Sequence, residues 1–477
     1  MSNGKHPDEL LVPQKETNGL AALTQLKCRA EGAAFVGFLT TTALIGSVYM
    51  IFPFVPLLFF SATYPIYRRA CQCVATLWFT AAAALLELTS DVVVHGTPLA
   101  ESDRVSLLIC NHNCRIDWMY LWVLASRLGR PHALCIALKD SLRSAPFFGW
   151  AMQAFLFVFL SRRDRNTDLQ TIRRSIEYNV HTLKSPLLFL IFPEGTDLSR
   201  SNLAASQQFA QANGLPRFEH VLHPRSAGFA GAVDAAGDKL DAVLDVTVRY
   251  TPHALDAAPS VHALRRLGGH ACTADTPMYR PSESSLLGGR WPRRVALRVE
   301  RRDAAEVARV GDKEVGAWLK RRWEAKEAWL AMEAEAEARA EEMEVTAAAA
   351  ATTAAAATAT LNAAEVSATP SLSESDGSEG AVAQSSANIS SSESPWPLSR
   401  RLRGAYGASL LFWALAMAAS AYALSSVRGF GAYTVGASLC LALLTRRAGG
   451  LGQMEMDARA KRAHAEEKKA ADTAGKQ

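Results

Sequence analysis

Apolar residues are concentrated near the two ends of the chain. From Gly32 to Tyr67 no charged residue occurs, a stretch longer than the roughly 20 residues that cross a bilayer as a helix. Pro53 and Pro56 lie inside it and predict a kink or break. Arg68 and Arg69 close the stretch, and Ala70–Leu86 is again free of charge. The pattern predicts a membrane anchor over 32–88 made of one or two helices, the second case being a hairpin. Near the other end, Gly404–Val427 and the shorter Gly429–Thr445 repeat the pattern with only Arg428 between them. Arg400, Arg401 and Arg403 precede the pair and Arg446 and Arg447 follow it, which predicts a hairpin over 400–447 with both ends toward the cytoplasm.

Between these regions, over 89–330, the period shortens to that of alternating strands and helices. Val105–Cys110 reads as a buried strand and Trp118–Arg127 as a helix. Pro186–Phe192 and Leu244–Tyr250 read as further strands, the latter by alternation. Strands interleaved with helices imply an α/β fold, a central sheet flanked by helices. Phe147–Leu160 is apolar but too short to cross a bilayer comfortably, so it is expected in the core or at the interface. Asp312–Glu344, rich in Glu, Ala, Lys and Arg, predicts a long solvated helix. Ala347–Ser394 is of low complexity, and a disordered linker is expected within 331–399. Polar or charged tails occupy 1–31 and 448–477.

A net charge of +5 over 477 residues, without a basic domain or aromatic-basic groove, argues against nucleic acid as a partner. The eight cysteines are scattered without C-x-x-C spacing, so neither a zinc site nor a disulfide framework is expected. The soluble part is expected to face a reducing compartment.

The sharpest chemical feature is Asn111-His112-Asn113-Cys114-Arg115-Ile116-Asp117-Trp118, directly after the strand. A His and an Asp five apart lie about 140° apart on a helix and on opposite faces of a strand, so they converge only across a turn. With Asp117 at a helix N-terminus, its carboxylate orients one imidazole nitrogen and leaves the other free to take a proton. The pair lacks its own nucleophile, which points to a substrate hydroxyl. Phe192-Pro193-Glu194-Gly195-Thr196 closes another strand; a glycine there lets backbone N–H groups approach an anion, and Thr196 adds a donor. Arg162 and Arg163 end the apolar run FLFVFL and suit a phosphate head group, or equally snorkel at a membrane surface. Cys114 beside His112 also permits a Cys–His nucleophile, and Glu194 a helix cap.

These motifs, taken in order with a Pro-containing strand end, resemble the glycerolipid acyltransferase family, which includes the 1-acylglycerol-3-phosphate acyltransferases. Asn111–Trp118, Leu138–Gln153, Phe192–Leu198 and Val221–Arg225 look like the branch containing lysocardiolipin and lysophosphatidylinositol acyltransferases. The resemblance covers roughly 35–330 and 400–447, reaching weakly into KRRWEAKE. It implies His112 as general base and Asp117 as its partner. It implies Arg162, Glu194 and Gly195 in binding the acceptor's glycerol phosphate, where Thr196 is expected to add its hydroxyl, and Pro224 and Arg225 near the donor. Asn113-Cys114 departs from the branch.

The expectation is an integral membrane enzyme, at the endoplasmic reticulum, that moves an acyl group from acyl-CoA to the free hydroxyl of a lysophospholipid or lysophosphatidic acid. Acyl-CoA is then a co-substrate, and no bound cofactor or metal is expected. A hydrolase or transacylase using the same pair, or a non-catalytic membrane scaffold, are the alternatives. One consequence is topological: His112 and Glu194 serve one substrate, so no membrane crossing separates them. Cysteines introduced at Ser102 and Ser199 should label from the same face of sealed vesicles, and labelling from opposite faces would refute the assignment.

Overall fold

Strands β1 (Asp91–Gly96), β2 (Val105–Cys110), β3 (Leu134–Lys139), β4 (Val158–Leu160), β5 (Leu187–Ile191), β6 (Ala242–Thr251) and β7 (Arg294–Asp303) form one sheet in the order β1-β7-β6-β2-β5-β3-β4. The computed structural model describes residues 14–251, 281–308, 312–365 and 395–474. Neighbouring strands are parallel except β6 and β7, which pair antiparallel. The central strands β2 and β5 are buried at every position, so both read in sequence as unbroken apolar runs.

The helices are α1 (Gln14–Leu44), α2 (Tyr64–Thr89), α3 (Asp117–Arg127), α4 (Phe148–Ala154), α5 (Arg165–Glu177), α6 (Arg200–Ala212), α7 (Ser226–Ala236), α8 (Glu283–Leu287), α9 (Ala304–Ala308), α10 (Asp312–Glu365), α11 (Arg400–Ser426), α12 (Phe430–Ala448) and α13 (Leu451–Ala474). Strand alternation divides the core into two layers. Leu108 and Cys110 of β2 face α2, α3 and α4, while Leu107 and Ile109 face α5, α7 and α10. The expected α/β class is therefore met by a sheet covered on both faces.

Three stretches, Leu23–Phe59, Tyr64–Thr89 and Arg400–Ser426, are long and apolar enough to cross a membrane. Pro53 and Pro56 do interrupt the first: α1 gives way to a widened turn of helix over Ile45–Ile51 and a tightened one over Phe52–Phe59. The last expected segment, Gly429–Thr445, forms α12 but is not among the three. Helix α11 is the most open, exposing Leu411, Leu415, Tyr422 and Leu424. Helix α2 differs. Trp78 meets Trp122 edge-on at 5.0 Å, and Phe79 packs on Phe155 and Phe157, so α2 is both an apolar anchor and a wall of the core. Phe147–Leu160 becomes α4 and edge strand β4, folded into the domain rather than across a bilayer.

Helix α10 corrects two expectations. Val315, Trp318, Leu319, Trp323 and Leu330 form a buried stripe, so its first half is a core helix rather than a solvated one. The stripe is narrow and surrounded by charge, which hid it in composition. The helix also runs through Ala347 to Glu365, where a linker was expected, because alanine has the highest helix propensity. The remainder of that expected linker, 366–394, lies outside the described residues.

One buried ion pair ties the ends of the chain to the domain. Glu455 of α13 is fully buried and bonds Arg68 Nη1 at 3.0 Å, and its other oxygen accepts from Tyr64 at 2.7 Å and Tyr178 at 3.0 Å. Arg68 Nη1 also donates to the Ala154 carbonyl at 3.0 Å. Removing one partner leaves a buried charge uncompensated, typically about 3–5 kcal/mol. Glu455→Ala should therefore lower the melting temperature in detergent markedly, with Arg68→Met in the same chain restoring most of the loss.

Candidate active site

The turn between β2 and α3 supplies the reversal that the spacing of His112 and Asp117 demands. Asn111 starts it by substituting side chain for ladder: its Nδ2 donates to the Val248 carbonyl at 3.1 Å and its Oδ1 accepts from the Val248 amide at 2.8 Å. His112 Nδ1 then lies 2.9 Å from Asp117 Oδ2. Asp117 is completely buried and also accepts from the Cys114 amide at 3.0 Å, the Cys114 thiol at 3.1 Å and the Tyr250 hydroxyl at 2.7 Å. Four donors fix the carboxylate on the imidazole. With Nδ1 engaged, Nε2 is the nitrogen left for a substrate. The His112 ring stacks on Phe192 with centroids 4.3 Å apart.

The strand-end loop after β5 grips the same turn from behind. Leu198 N–H donates to the His112 carbonyl at 2.8 Å, and His112 N–H donates to Glu194 Oε1 at 3.2 Å. Glu194 was expected at the acceptor's phosphate; it is buried instead, and its Oε1 takes a second bond from Trp323 Nε1 at 3.0 Å. One N–H of the expected backbone anion cradle is engaged within the loop. Gly195 has φ +76°, which favours glycine, but its N–H closes the turn to Phe192 O at 3.0 Å. Thr196 Oγ1 bonds Asp197 at 3.3 Å and accepts from Asn202 at 3.0 Å.

Positive charge comes from side chains. Arg162 Nη1 donates to the Gly195 carbonyl at 3.3 Å, and a Cβ placed on Gly195 would lie 3.6 Å from Arg225 Cδ, so two exposed arginines flank this glycine. Arg162 has φ +58°, held by Asp168, which accepts its N–H at 2.8 Å. Arg225 N–H pairs with Pro193 O at 2.8 Å, and Pro224 is half-buried just before it.

Electrostatics sort the titratable groups. Burial works against a charged imidazole, but the hydrogen bond and charge of Asp117, with the charges of Glu194 and Asp197, outweigh it and raise His112 above its ordinary value. Burial pushes Glu194 up to about 7, against the bonds it accepts from Trp323 and the His112 amide. Burial and the Asp117 charge push the Cys114 thiol well above its ordinary value, which argues against a thiolate nucleophile.

Residues 91–251 match the family model described as Acyltransferase. Lysocardiolipin acyltransferase 1 of Danio rerio is 36% identical over 301 residues, covering 62% of this chain and 69% of that protein. The chain belongs to the acyltransferase family. A protein named probable 1-acyl-sn-glycerol-3-phosphate acyltransferase 5, from Arabidopsis thaliana, is 38% identical over 164 residues, 34% of this chain and 42% of that one. A solved 1-acyl-sn-glycerophosphate acyltransferase from Thermotoga maritima superposes with a TM-score of 0.34 at 20% identity over 62% of this chain and 98% of that one, too loosely to refine the picture.

In this acyltransferase the sequence reading missed Tyr250 and Trp323. Tyr250 sits at the end of an alternating strand, and only the β2–β6 pairing brings it to Asp117. Trp323 lies in the weakly matching KRRWEAKE stretch, inside a helix expected to be solvated. Glu194→Gln keeps an acceptor oxygen but removes a charge that raises His112. The acid limb of the kcat/KM profile, measured from about pH 5 to 9, should move to lower pH. A limb that stays in place would mean that Glu194 does not act on His112.

Proposed function

We propose that this acyltransferase esterifies the free hydroxyl of a lysophospholipid or lysophosphatidic acid with acyl-CoA as donor. The carrying observation is a buried base–orienter pair without a protein nucleophile, next to a glycine flanked by two exposed arginines. His112 Nε2 takes the acceptor's hydroxyl proton as the oxygen attacks the thioester carbonyl carbon. The C–S bond breaks, an ester forms, and the imidazolium returns the proton to the departing thiolate, so a direct route needs neither acyl-enzyme nor bound cofactor. Asp117 sets the tautomer and stabilises the imidazolium. We assign Arg162 to the acceptor phosphate and Arg225, with Pro224, to the donor side. The relatives named lysocardiolipin and 1-acyl-sn-glycerol-3-phosphate acyltransferase support this substrate class. The cysteines among the described residues are free, which suits a site on the cytosolic face, and the endoplasmic reticulum is the membrane we nominate.

The test is a panel of lysophospholipids with labelled oleoyl-CoA and purified enzyme. His112→Ala should abolish transfer, Asp117→Asn should cost roughly 10²–10⁴ in kcat, and Cys114→Ser should keep most activity. Arg162→Ala should raise KM for the acceptor and leave KM for acyl-CoA nearly unchanged. Near wild-type turnover in well-folded His112→Ala enzyme would overturn the mechanism, and labelled free fatty acid as the main product would favour a hydrolase.

A further inference from the structure

Helix α10 follows the segment that matches the family model, yet one stripe of it reaches the site at several points. Trp323 is fully buried and donates its indole N–H to Glu194 Oε1 at 3.0 Å, the oxygen that also accepts the His112 amide at 3.2 Å. One turn on, Lys326 lies over the Trp323 ring at 5.2 Å and donates to the Val246 carbonyl and Thr247 hydroxyl of β6. Arg322 and Lys326 both pair with the buried Asp245 of β6. Glu327 accepts three consecutive amides, Glu219 at 2.7 Å, His220 at 2.9 Å and Val221 at 3.1 Å, at the head of the Val221–Arg225 motif. Residues 322, 323, 326 and 327 share one face of a helix.

A buried indole N–H needs an acceptor, and the one Trp323 has is the carboxylate that also holds the His112 amide. The indole and the His112 amide both donate to one oxygen of Glu194, and the backbone of Leu222, in the neighbouring Val221–Arg225 motif, adds a further hydrogen bond to the carboxylate. We propose that Trp323 is a positioning residue for the transfer reaction: through Glu194 it sets the backbone of His112, while Glu327 holds the neighbouring loop that carries Arg225. The inference rests on His112 as the base. It makes α10 part of the working site through the residues it holds in place.

Trp323→Phe keeps the ring and deletes the donor. Glu194 then loses one of the bonds that hold it, its carboxylate is less well held as an anion, and the His112 amide loses a fixed acceptor. The expected result is a fall in kcat of about 10-fold or more with both KM values within about twofold, since the loss is in the alignment of the base and not in substrate binding. The acid limb of the pH profile should shift to lower pH, in the direction expected of Glu194→Gln.

A double-mutant cycle is decisive. In a Glu194→Gln background, Trp323→Phe should cost much less than it does alone, because the two residues act along one path. Trp318→Phe is the control: Trp318 is buried on the same helix and stacks on Phe229 at 5.6 Å, so its loss should change melting temperature and leave kcat and the pH profile alone. Full additivity of the two substitutions, or unchanged kcat in folded Trp323→Phe enzyme, would overturn the proposal. If His112→Ala is inactive while Trp323→Phe is normal, the base stands and only the brace falls.

Discussion

A single buried carboxylate organises this site. Asp117 collects donors from the imidazole, from the amide and thiol of Cys114, and from Tyr250 of β6, the strand paired with β2. Stranding that group without them would be costly, because a buried charged or polar group is tolerated only when it is bonded. The turn after β2, the start of α3 and the end of β6 are therefore held together by one requirement. The imidazole is fixed in one orientation by the same bonds that satisfy the carboxylate.

Around that centre the sheet explains why distant motifs meet. β2 lies between β5 and β6, so the loops leaving β2 and β5 at the same end of a parallel pair emerge side by side. Glu194 and Leu198 reach the backbone of His112 because of this register, and Arg225 joins through Pro193. The ordinary rule that open parallel sheets carry their chemistry beyond the carboxyl ends of the strands is obeyed here. Two exposed arginine side chains, Arg162 and Arg225, bring positive charge to that end of the sheet.

Much of this was legible in the chain. The unbroken apolar run Val105–Cys110 marks a strand buried on both faces, while Leu244–Tyr250 alternates because Asp245, Thr247 and Arg249 meet polar or charged partners on α10. The His112–Asp117 spacing demanded a turn, and the turn is there. What stayed hidden depended on long-range pairing. Nothing near Tyr250 in sequence announces Asp117, and the buried stripe of α10 is outnumbered by charged neighbours. The burial of Glu194 stayed hidden for a related reason: nothing in its loop announces the tryptophan, 129 positions away, that is bonded to it.

Helix α2 has a further consequence. It is apolar enough for a bilayer, yet Trp78, Phe79 and Tyr67 lie in the same packed cluster as the sheet, and Glu87 at its far end pairs with Arg127 of α3 at 2.9 Å. Attachment and catalysis thus share one set of side chains. Trimming the apolar N-terminal region to obtain a water-soluble enzyme would strip one side of the sheet and expose Trp122 and Phe157, trading a lipid-facing surface for a raw hydrophobic wound. In this acyltransferase a helix apolar enough for a bilayer is not a tether that can be cut; it is one of the layers of the fold.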